Sequence, residues 1–361
     1  MQAYFPHLKI IGLHMKKFWI IFLCFCCMFL NSCKDRDEVV KINNVALERF
    51  KNNPPYSYNR EHYPVKIENL NSRNERIIYT FDKPPERIVA VWQNSIETLL
   101  ALGVGDRVVA AMGLPSGIYL REEYQEQYKK IPYTGLELLD MESLVMHEPD
   151  FILGWYSTFD SKTYRGTDFW HARGVKTYIA TTSSPKPNIR VLEKEYDYIL
   201  DLGKILDRSE RARQLVDQMR NAIDYVTERT KNYKKRPRAL IISTMGNNIH
   251  SWPETSLAGD LVKKLNAIHL ENTARTLSKE QVRDLEPDVI FVVVSERHYG
   301  MEKNFLDAIY KEKAYQDLSC VKNKRVYTIP LNYVYSPGVR TFDGIDVMAR
   351  GLYPELYSDK K

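Results

Sequence analysis

Apolar and polar positions along this chain follow two periods, and together they predict alternating strands and helices. Short unbroken runs of mainly aliphatic residues, at 87–91, 107–111 and 238–242, are typical of strands buried on both faces of a sheet. The first run leads into residues 96–102, where apolar residues recur at helical spacing. A strand, a helix and a second strand at this spacing form a βαβ unit, which winds into a mostly parallel sheet. The pattern therefore predicts an α/β fold.

The first predicted helix has recognisable ends. Asn94 or Ser95 is expected to be its N-cap, and Gly103 is expected to end it. Gly103 and Gly105 could be mistaken for a nucleotide-binding fingerprint, but they fall between a helix and the next strand. Phosphate-binding glycines fall between a strand and the following helix. We therefore interpret the glycines as helix termination.

One stretch of sequence occurs twice, at residues 140–153 and 278–291. When the copies are aligned on their prolines, a Glu, an apolar residue, a Glu-Pro-Asp triplet and an Ile coincide. Each copy predicts a helix capped by Asp140 or Ser278, a break at the proline and a buried strand. Two copies this far apart predict two similar α/β lobes.

The segment between residues 189 and 232 predicts a helical connection between the lobes. It contains almost no Gly or Pro, and its apolar residues recur at helical spacing. These residues are Leu215, Met219, Ile223 and Val226. Helices of this length would span a lobe, and two ordinary surface helices could also form the link.

The N-terminus carries the pattern of an export signal. Lys16 and Lys17 precede an apolar run at 18–30 that is too short for a comfortable transmembrane span. Residues 30–33 resemble a bacterial lipobox, in which Cys33 becomes the lipidated first residue, and the alternative is a plain uncleaved anchor. Translation starts at Met1 or at Met15. In either case we expect the body to lie outside the cytoplasm, in the periplasm or cell envelope, anchored to a membrane.

These signals divide the chain into five segments. They are a signal with its lipidated cysteine at 1–33, a tether at 34–62, an N-terminal lobe at 63–187, a helical linker region at 188–235 and a C-terminal lobe at 236–361. A β-hairpin is expected at the start of the N-terminal lobe, with strands at 65–67 and 77–81.

Length, charge and cysteine content narrow the classes of function. The 361 residues can hold two domains of ordinary size. The net charge of +6 is spread without a long basic block, which gives little support for nucleic-acid binding. Beyond Cys33 the chain has one further cysteine, Cys320, so no disulfide framework or zinc knuckle can be built. We interpret Cys320 as a small buried or half-buried residue in a loop.

Ligand-binding residues are expected after the carboxyl ends of the strands, where open α/β sheets bind their ligands. Aromatic residues there suit a large flat ligand, and Arg297 with Arg340 would suit an anionic one. Each aromatic residue could instead pack within a lobe. The candidates are Trp92, Asn94, Ser95, Trp155, Tyr156, Met245, Trp252, Arg297, Tyr333 and Tyr335.

The order of these motifs resembles a known family. Residues 85–90 and 96–103, both Glu-Pro-Asp units, the middle helix and the closing 336–338 turn look like the periplasmic binding proteins of iron-siderophore, cobalamin and haem ABC importers. The resemblance covers roughly residues 63–355. It implies two α/β lobes with mostly parallel sheets, joined by a single long α-helix, with the ligand in the cleft between them.

The resemblance also implies partners and a cargo. The partners would be an ABC importer permease and its ATPase, and the cargo a metal chelate, with a ferric siderophore favoured over a corrinoid or haem. No resident cofactor is implied. Glu142 and Glu280 match the acidic residues with which this family engages permease arginines. Each of them alone could simply be a carboxylate placed favourably against a helix dipole.

Two rival functions receive less support from the residues. A direct metal-ion binder needs several His, Asp or Glu ligands on cleft loops, but only His250 and His298 fall at suitable strand ends, both in the second lobe. For an enzyme, no Gly-x-Ser-x-Gly motif is present, and the carboxylate pairs are typical of capping or surface positions. We therefore expect a binding protein without catalytic residues and without a metal site of its own.

Overall fold

The computed structural model describes residues 59–185, 189–245, 248–271, 275–295 and 298–358, which belong to one compact unit. The predicted signal with Cys33 and all but the last few residues of the predicted tether lie outside these residues. Arg297 and the side chain of Met245 also lie outside the description.

An antiparallel hairpin opens the described chain, as the sequence predicts. Strand β1 (Val65–Leu70) pairs with β2 (Arg76–Phe81). Asn69 fastens the hairpin to the first lobe, because its buried side chain both donates to and accepts from the backbone of Ile179, at 3.0 and 2.9 Å.

The first lobe contains a sheet of five parallel strands in the order β5-β4-β3-β6-β7. The strands are β3 (Ile88–Val91), β4 (Val108–Met112), β5 (Tyr133–Gly135), β6 (Phe151–Gly154) and β7 (Lys176–Ile179). The helices are α1 (Gln93–Ala101), α2 (Glu122–Tyr128), α3 (Met141–Met146) and α4 (Thr167–His171). The predicted parallel sheet is confirmed.

The second lobe contains a mixed sheet in the order β11-β9-β8-β12-β13, with β10 also pairing with β8. The strands are β8 (Arg238–Met245), β9 (Asn248–Ser251), β10 (Ile268–Leu270), β11 (Thr276–Leu277), β12 (Val289–Val294) and β13 (Val326–Pro330). Strands β10, β8, β12 and β13 run parallel, whereas β9 and β11 are antiparallel additions. The second lobe therefore has four parallel strands where the first has five, together with an antiparallel edge.

Two helices, α5 (Leu192–Ile205) and α6 (Ser209–Thr230), connect the lobes and pack against each other. The predicted long helix is confirmed as α6, and the shorter α5 precedes it in the same segment. Asp207 adopts a left-handed φ of 55°, which separates the end of α5 from the start of α6 at Ser209.

The remaining helices lie in the second lobe and at the junction with the first. They are α7 (Leu257–Lys264), α8 (Lys279–Asp284), α9 (Glu302–Lys311), α10 (Ser319–Lys322), α11 (Leu331–Val334) and α12 (Thr341–Leu352). Cys320 is buried as predicted, although it lies in α10 rather than in a loop. Within the described chain, no helix is both long and apolar enough to cross a membrane.

The repeated stretches adopt the same local structure in both lobes. Asp140 and Ser278 cap α3 and α8, as predicted, each accepting a hydrogen bond from the backbone N–H three residues on. Glu148 and Glu286 both have a left-handed φ, of 44° and 45°, just before the proline. The duplication is thus conformational as well as compositional.

An arginine that the sequence analysis did not single out completes each copy. Arg87 donates to the carbonyls of His147 and Glu148, and Arg238 donates to those of Leu285 and Glu286. Each guanidinium thereby satisfies carbonyls at the end of the repeat helix.

One hydrophobic core runs through both lobes and the connecting helices. In the second sheet, Ala239 and Ile241 face this shared core, whereas Leu240 and Ile242 face a separate cluster on the other side. Alternate residues of a strand point to opposite faces, so the sheet is covered on both sides. The shared core ties the lobes together.

Candidate ligand cleft

A cavity of about 470 Å³ lies between the lobes, within the usual range for small-molecule sites. Its first-lobe wall is formed by residues directly after β3, β4, β5 and β6, and its second-lobe wall by residues after β13. The lining residues are Trp92, Gln93, Asn94, Gly113, Pro115, Leu136, Glu137, Leu138, Trp155, Leu331, Asn332, Tyr335 and Ser336. This is the strand-end crevice expected of α/β sheets.

Trp92 links β3 to α1 in an unusual backbone conformation. Its φ is 74°, which bulky residues rarely adopt, and it serves as the N-cap of α1 without a side-chain capping bond. The predicted cap, Asn94 or Ser95, is therefore wrong, because the helix begins earlier and both residues lie inside its first turn. Strain of this kind concentrates at functional sites.

Gly113 makes room for the Trp92 ring. A Cβ at this glycine would lie 2.5 Å from Cε3 of Trp92, and the φ of Gly113 is 85°. Only glycine fits both the close approach and the left-handed backbone without strain.

Three aromatic rings form a continuous wall from one lobe to the other. Trp155 lies 5.3 Å from Trp92 and 5.4 Å from Tyr335, measured between ring centroids. Its indole N–H donates to Oδ1 of Asn94 at 2.8 Å, which fixes the ring. The Trp92–Trp155–Tyr335 wall offers the cleft rigid aromatic surface.

The second-lobe end of this wall is held from behind. Arg190 lies over the Tyr335 ring at 4.7 Å and donates to the carbonyl of Thr182 at 2.5 Å. Thr182 in turn donates to Oγ of Ser336 at 2.9 Å. The chain entering the connecting helices therefore positions the cleft residues of the second lobe.

A buried charge network joins the lobes beside the cleft. Arg340 donates to Glu97 at 2.8 Å, to Asp343 at 2.9 Å and to the carbonyl of Tyr119 at 2.9 Å. Arg121 donates to both oxygens of Asp343, at 3.1 and 2.9 Å. Burial raises the pKa of Glu97, and the guanidinium of Arg340 opposes that shift.

The expectation that Arg340 would face an anionic ligand is wrong. Its side chain is 9% exposed, and its donors are directed to Glu97, Asp343 and the Tyr119 carbonyl. Glu97 and Tyr119 lie in the other lobe, more than 200 residues away in sequence, whereas Asp343 lies three residues on, in α12. The residue holds the lobes together instead of lining the cleft.

The structure brings together four of the ten predicted ligand residues, Trp92, Asn94, Trp155 and Tyr335. The other described candidates lie outside the lining. Ser95 is fully buried in α1, Tyr156 donates to the Ser72 carbonyl of the hairpin, Trp252 points its N–H at Ser243, and Tyr333 packs under Arg340. Arg297 and the Met245 side chain fall outside the described residues.

Several lining residues escaped the sequence analysis. Leu136, Glu137 and Leu138 follow β5, which has three residues and gives too weak a pattern to recognise. Gly113 and Pro115 follow β4, whose strand was recognised, so that strand end was the available signal. Leu331 and Asn332 directly follow β13 in the same way.

The described lining contains almost no charged side chains. Glu137, an exposed side chain, is its one ionisable acid, and none of its described members is Lys, Arg or His. Two buried donors in it, Nε1 of Trp92 and Nδ2 of Asn94, have no hydrogen-bond partner among the residues that the structure describes. Unpaired buried donors are costly, and because both atoms are closed to solvent, a ligand can accept from them only after their side chains shift.

Glu142 and Glu280 are exposed, each at the second position of a short capped helix, as predicted. Hydrogen bonds from the Glu280 backbone N–H and from the Ser278 hydroxyl lower the pKa of the Glu280 carboxyl group. His250 contacts Thr276, and His298 contacts Ser295. In the part of the chain that is described, no group of three or more His, Cys, Asp or Glu side chains is placed to hold a metal ion.

Two α/β lobes, a helical connection and an aromatic cleft at the strand ends define a two-lobed ligand-binding protein. Residues 88–333 match the family model described as periplasmic binding protein. The chain belongs to the periplasmic binding protein family.

Known relatives agree with this assignment. An uncharacterized ABC transporter substrate-binding lipoprotein of Bacillus subtilis, YvrC, is 22% identical over 309 residues, covering 83% of this chain and 88% of that protein. A vitamin B12-binding protein of Vibrio parahaemolyticus is 23% identical over 267 residues, covering 73% and 88%. The crystal structure of a periplasmic binding protein from Veillonella parvula superimposes with a TM-score of 0.80 at 39% identity, covering 84% of this chain and 95% of that one.

Proposed function

We propose that this protein is the substrate-binding protein of an ABC importer, which captures a metal chelate in its cleft and delivers it to the permease. The observation that carries the proposal is the Trp92–Trp155–Tyr335 wall, which spans both lobes at the strand ends. Rigid aromatic surface suits a large ligand with an apolar face. The relatives named above are binding proteins, which supports capture rather than turnover.

A ferric siderophore is our first choice of cargo, and a corrinoid or haem is the alternative. The cavity of about 470 Å³ suits a ligand of intermediate size that is partly enclosed between the lobes. The vitamin B12-binding relative supports keeping a corrinoid in the comparison.

Delivery would use the exposed carboxylates Glu142 and Glu280, one on each lobe. Their equivalent places at the start of α3 and α8 suit a partner with two matching basic sites. Charged pairs at such a contact mainly set register and association rate. Cys33 would carry the lipid that keeps the protein at the membrane near its permease and ATPase, in agreement with the lipoprotein relative.

Titration followed by tryptophan fluorescence tests the capture step, with the bound ligand identified by mass spectrometry of purified protein. We expect a ferric siderophore, corrinoid or haem to quench the emission, and the variant Trp155→Ala to lose about tenfold or more in affinity. Trp252→Phe is the matched control, because Trp252 lies outside the cleft lining. If no chelate of any class binds, the proposed function is wrong.

Transport assays test delivery separately. Reversing both charges, with Glu142→Lys and Glu280→Lys together, should abolish uptake while the affinity for the ligand stays unchanged. Reversal of Glu228, exposed on α6, is the control with a like change of charge at one site. Normal uptake by the double variant would refute the docking assignment.

A further inference from the structure

We infer that the cleft selects chelates that carry no net negative charge. The inference rests on the proposed function and narrows its ligand class. Its starting observation is the described lining, in which Glu137 is the ionisable acid and no cationic side chain is present. An anion entering this cavity would give up water without gaining a cationic partner, which is costly.

The three arginines near the cleft contact other groups of the protein. Arg340 and Arg121 are bound to carboxylates of the interlobe network, and Arg340 is largely buried there. Arg190 lies behind Tyr335, over the ring and against the Thr182 carbonyl. None of these three is among the residues that line the cleft.

The faces of the aromatic rings also disfavour an anionic ligand. The face of an indole or phenol ring carries the negative part of its quadrupole, so it attracts cations and disfavours anions. The carboxylate of Glu137 adds a full negative charge at the cleft margin. Both effects lower the affinity for a polyanion relative to that for an uncharged ligand.

The unpaired donors match neutral oxygen acceptors. Nε1 of Trp92 and Nδ2 of Asn94 are uncharged and have no hydrogen-bond partner among the described residues. Carbonyl, amide or hydroxamate oxygens can accept from such donors. Three hydroxamates neutralise ferric iron, whereas three catecholates leave the complex with a threefold negative charge. A ferric trihydroxamate or an uncharged corrinoid therefore fits, and a ferric triscatecholate or a haem with ionised propionates does not.

Calorimetric titration of the full chain with these four chelates tests the inference. We expect the neutral chelates to bind at least about tenfold more tightly than the anionic ones at the same ionic strength. The variant Glu137→Lys should shift the ratio of anionic to neutral affinity by about tenfold toward the anion. Glu228→Lys, with the same change of charge on a distant helix face, should leave the ratio where it is.

Each outcome bears on a definite claim. Tight binding of the triscatecholate or of haem by the unaltered protein would overturn the inference and leave the proposed function standing. If that binding disappeared in Arg297→Ala, the cation responsible would be identified as well. Equal affinity for neutral and anionic chelates would also overturn the charge selection. Binding of none of the four would overturn the proposed function itself.

Discussion

Glu195 is a buried carboxyl group on α5, behind the second-lobe wall of the cleft. It is 1% exposed and accepts a hydrogen bond from the N–H of Gly338 at 2.8 Å, and no described residue is hydrogen-bonded to its Oε1. Burial raises the pKa of Glu195 to about 7, while Thr182, Gly338 and Arg190 partly oppose the shift. A raised pKa in the folded state means that folding favours the protonated form. Stability is therefore lost as pH rises from the unfolded pKa near 4.5 through about 7.

Replacing this carboxyl by an amide tests the argument. Glu195→Gln should be more stable than the unaltered protein at pH 8, by up to roughly 3 kcal/mol, with little gain at pH 4.5. Chemical denaturation at the two pH values measures the difference. Asp197→Asn, exposed on the same helix, is the control and should show no such trend. An equal gain at both pH values would contradict the assignment.

Gly113 has no side chain and therefore leaves room for the Trp92 ring in the cleft. In Gly113→Ala the new Cβ would meet the Trp92 ring at 2.5 Å, so we expect a displaced indole and at least about tenfold weaker ligand binding. Gly174→Ala is the matched control, because Gly174 has a similar φ of 78° with nothing within 4 Å of its Cβ position. Both variants should lose roughly 1 kcal/mol through backbone strain. Only the first should lose tryptophan quenching, and unchanged affinity in it would refute the role.

At the scale of elements, the repeated unit is a helix, a proline break and a strand that each lobe builds in the same way. Besides the cap and the arginine, each copy contains an Asp that accepts hydrogen bonds from the backbone. Asp150 accepts from the backbone N–H of Glu86 and Arg87, and Asp288 accepts from that of Arg238. The loop before the first strand of each lobe is thus fixed by the repeat. Because both copies fold in the same way, the exposed Glu142 and Glu280 lie at equivalent positions of the two lobes.

The caps of the two repeat helices should matter equally. Asp140→Ala and Ser278→Ala each remove the acceptor for a first-turn N–H, and each should cost about 1 kcal/mol of unfolding free energy. Urea denaturation measures both costs. Replacement of the exposed Gln214 on α6 by Ala removes no cap and should change little. A cost in one lobe only would show that the copies are not energetically equivalent.

For the whole molecule, the lobes are joined by more than their connecting helices. The shared core and the Glu97–Arg340–Asp343–Arg121 network both cross the junction. Tyr119 of the first lobe also packs against Tyr299 of the second, with ring centroids 4.5 Å apart. Opening the cleft widely would expose apolar surface and separate buried charges. We therefore expect modest lobe motion on ligand binding.

Breaking the network from one side should be costly. Arg340→Ala leaves Glu97 buried without its cation, which typically costs roughly 3 to 5 kcal/mol. Combining it with Glu97→Gln should cost less than the sum of the single changes, because the uncompensated charge is gone. Denaturation of the three variants forms the cycle, and Arg350→Ala on the exposed side of α12 is the control. Strict additivity would show that the pair is not coupled.

The sequence by itself determined the features that depend on neighbouring residues. The alternation of strands and helices, the hairpin, the caps at Asp140 and Ser278 and the two-lobe plan all follow from local periodicity and from one repeat. Four of the ligand candidates could be placed because strand ends share one edge of a parallel sheet. Such patterns are readable because each requires only residues a few positions apart.

Only the tertiary structure decided which side chains from distant segments line the cleft and which are buried between the lobes. Arg340 pairs with Glu97 across a separation of 243 residues, so its sequence neighbourhood could not show that it is withdrawn from the ligand. The start of α1 at Trp92 depends on the space left by Gly113, and the split of the connection depends on one left-handed residue, Asp207. The charge of a cleft depends on which side chains the lobes bring together and which they bury, and that is settled by packing.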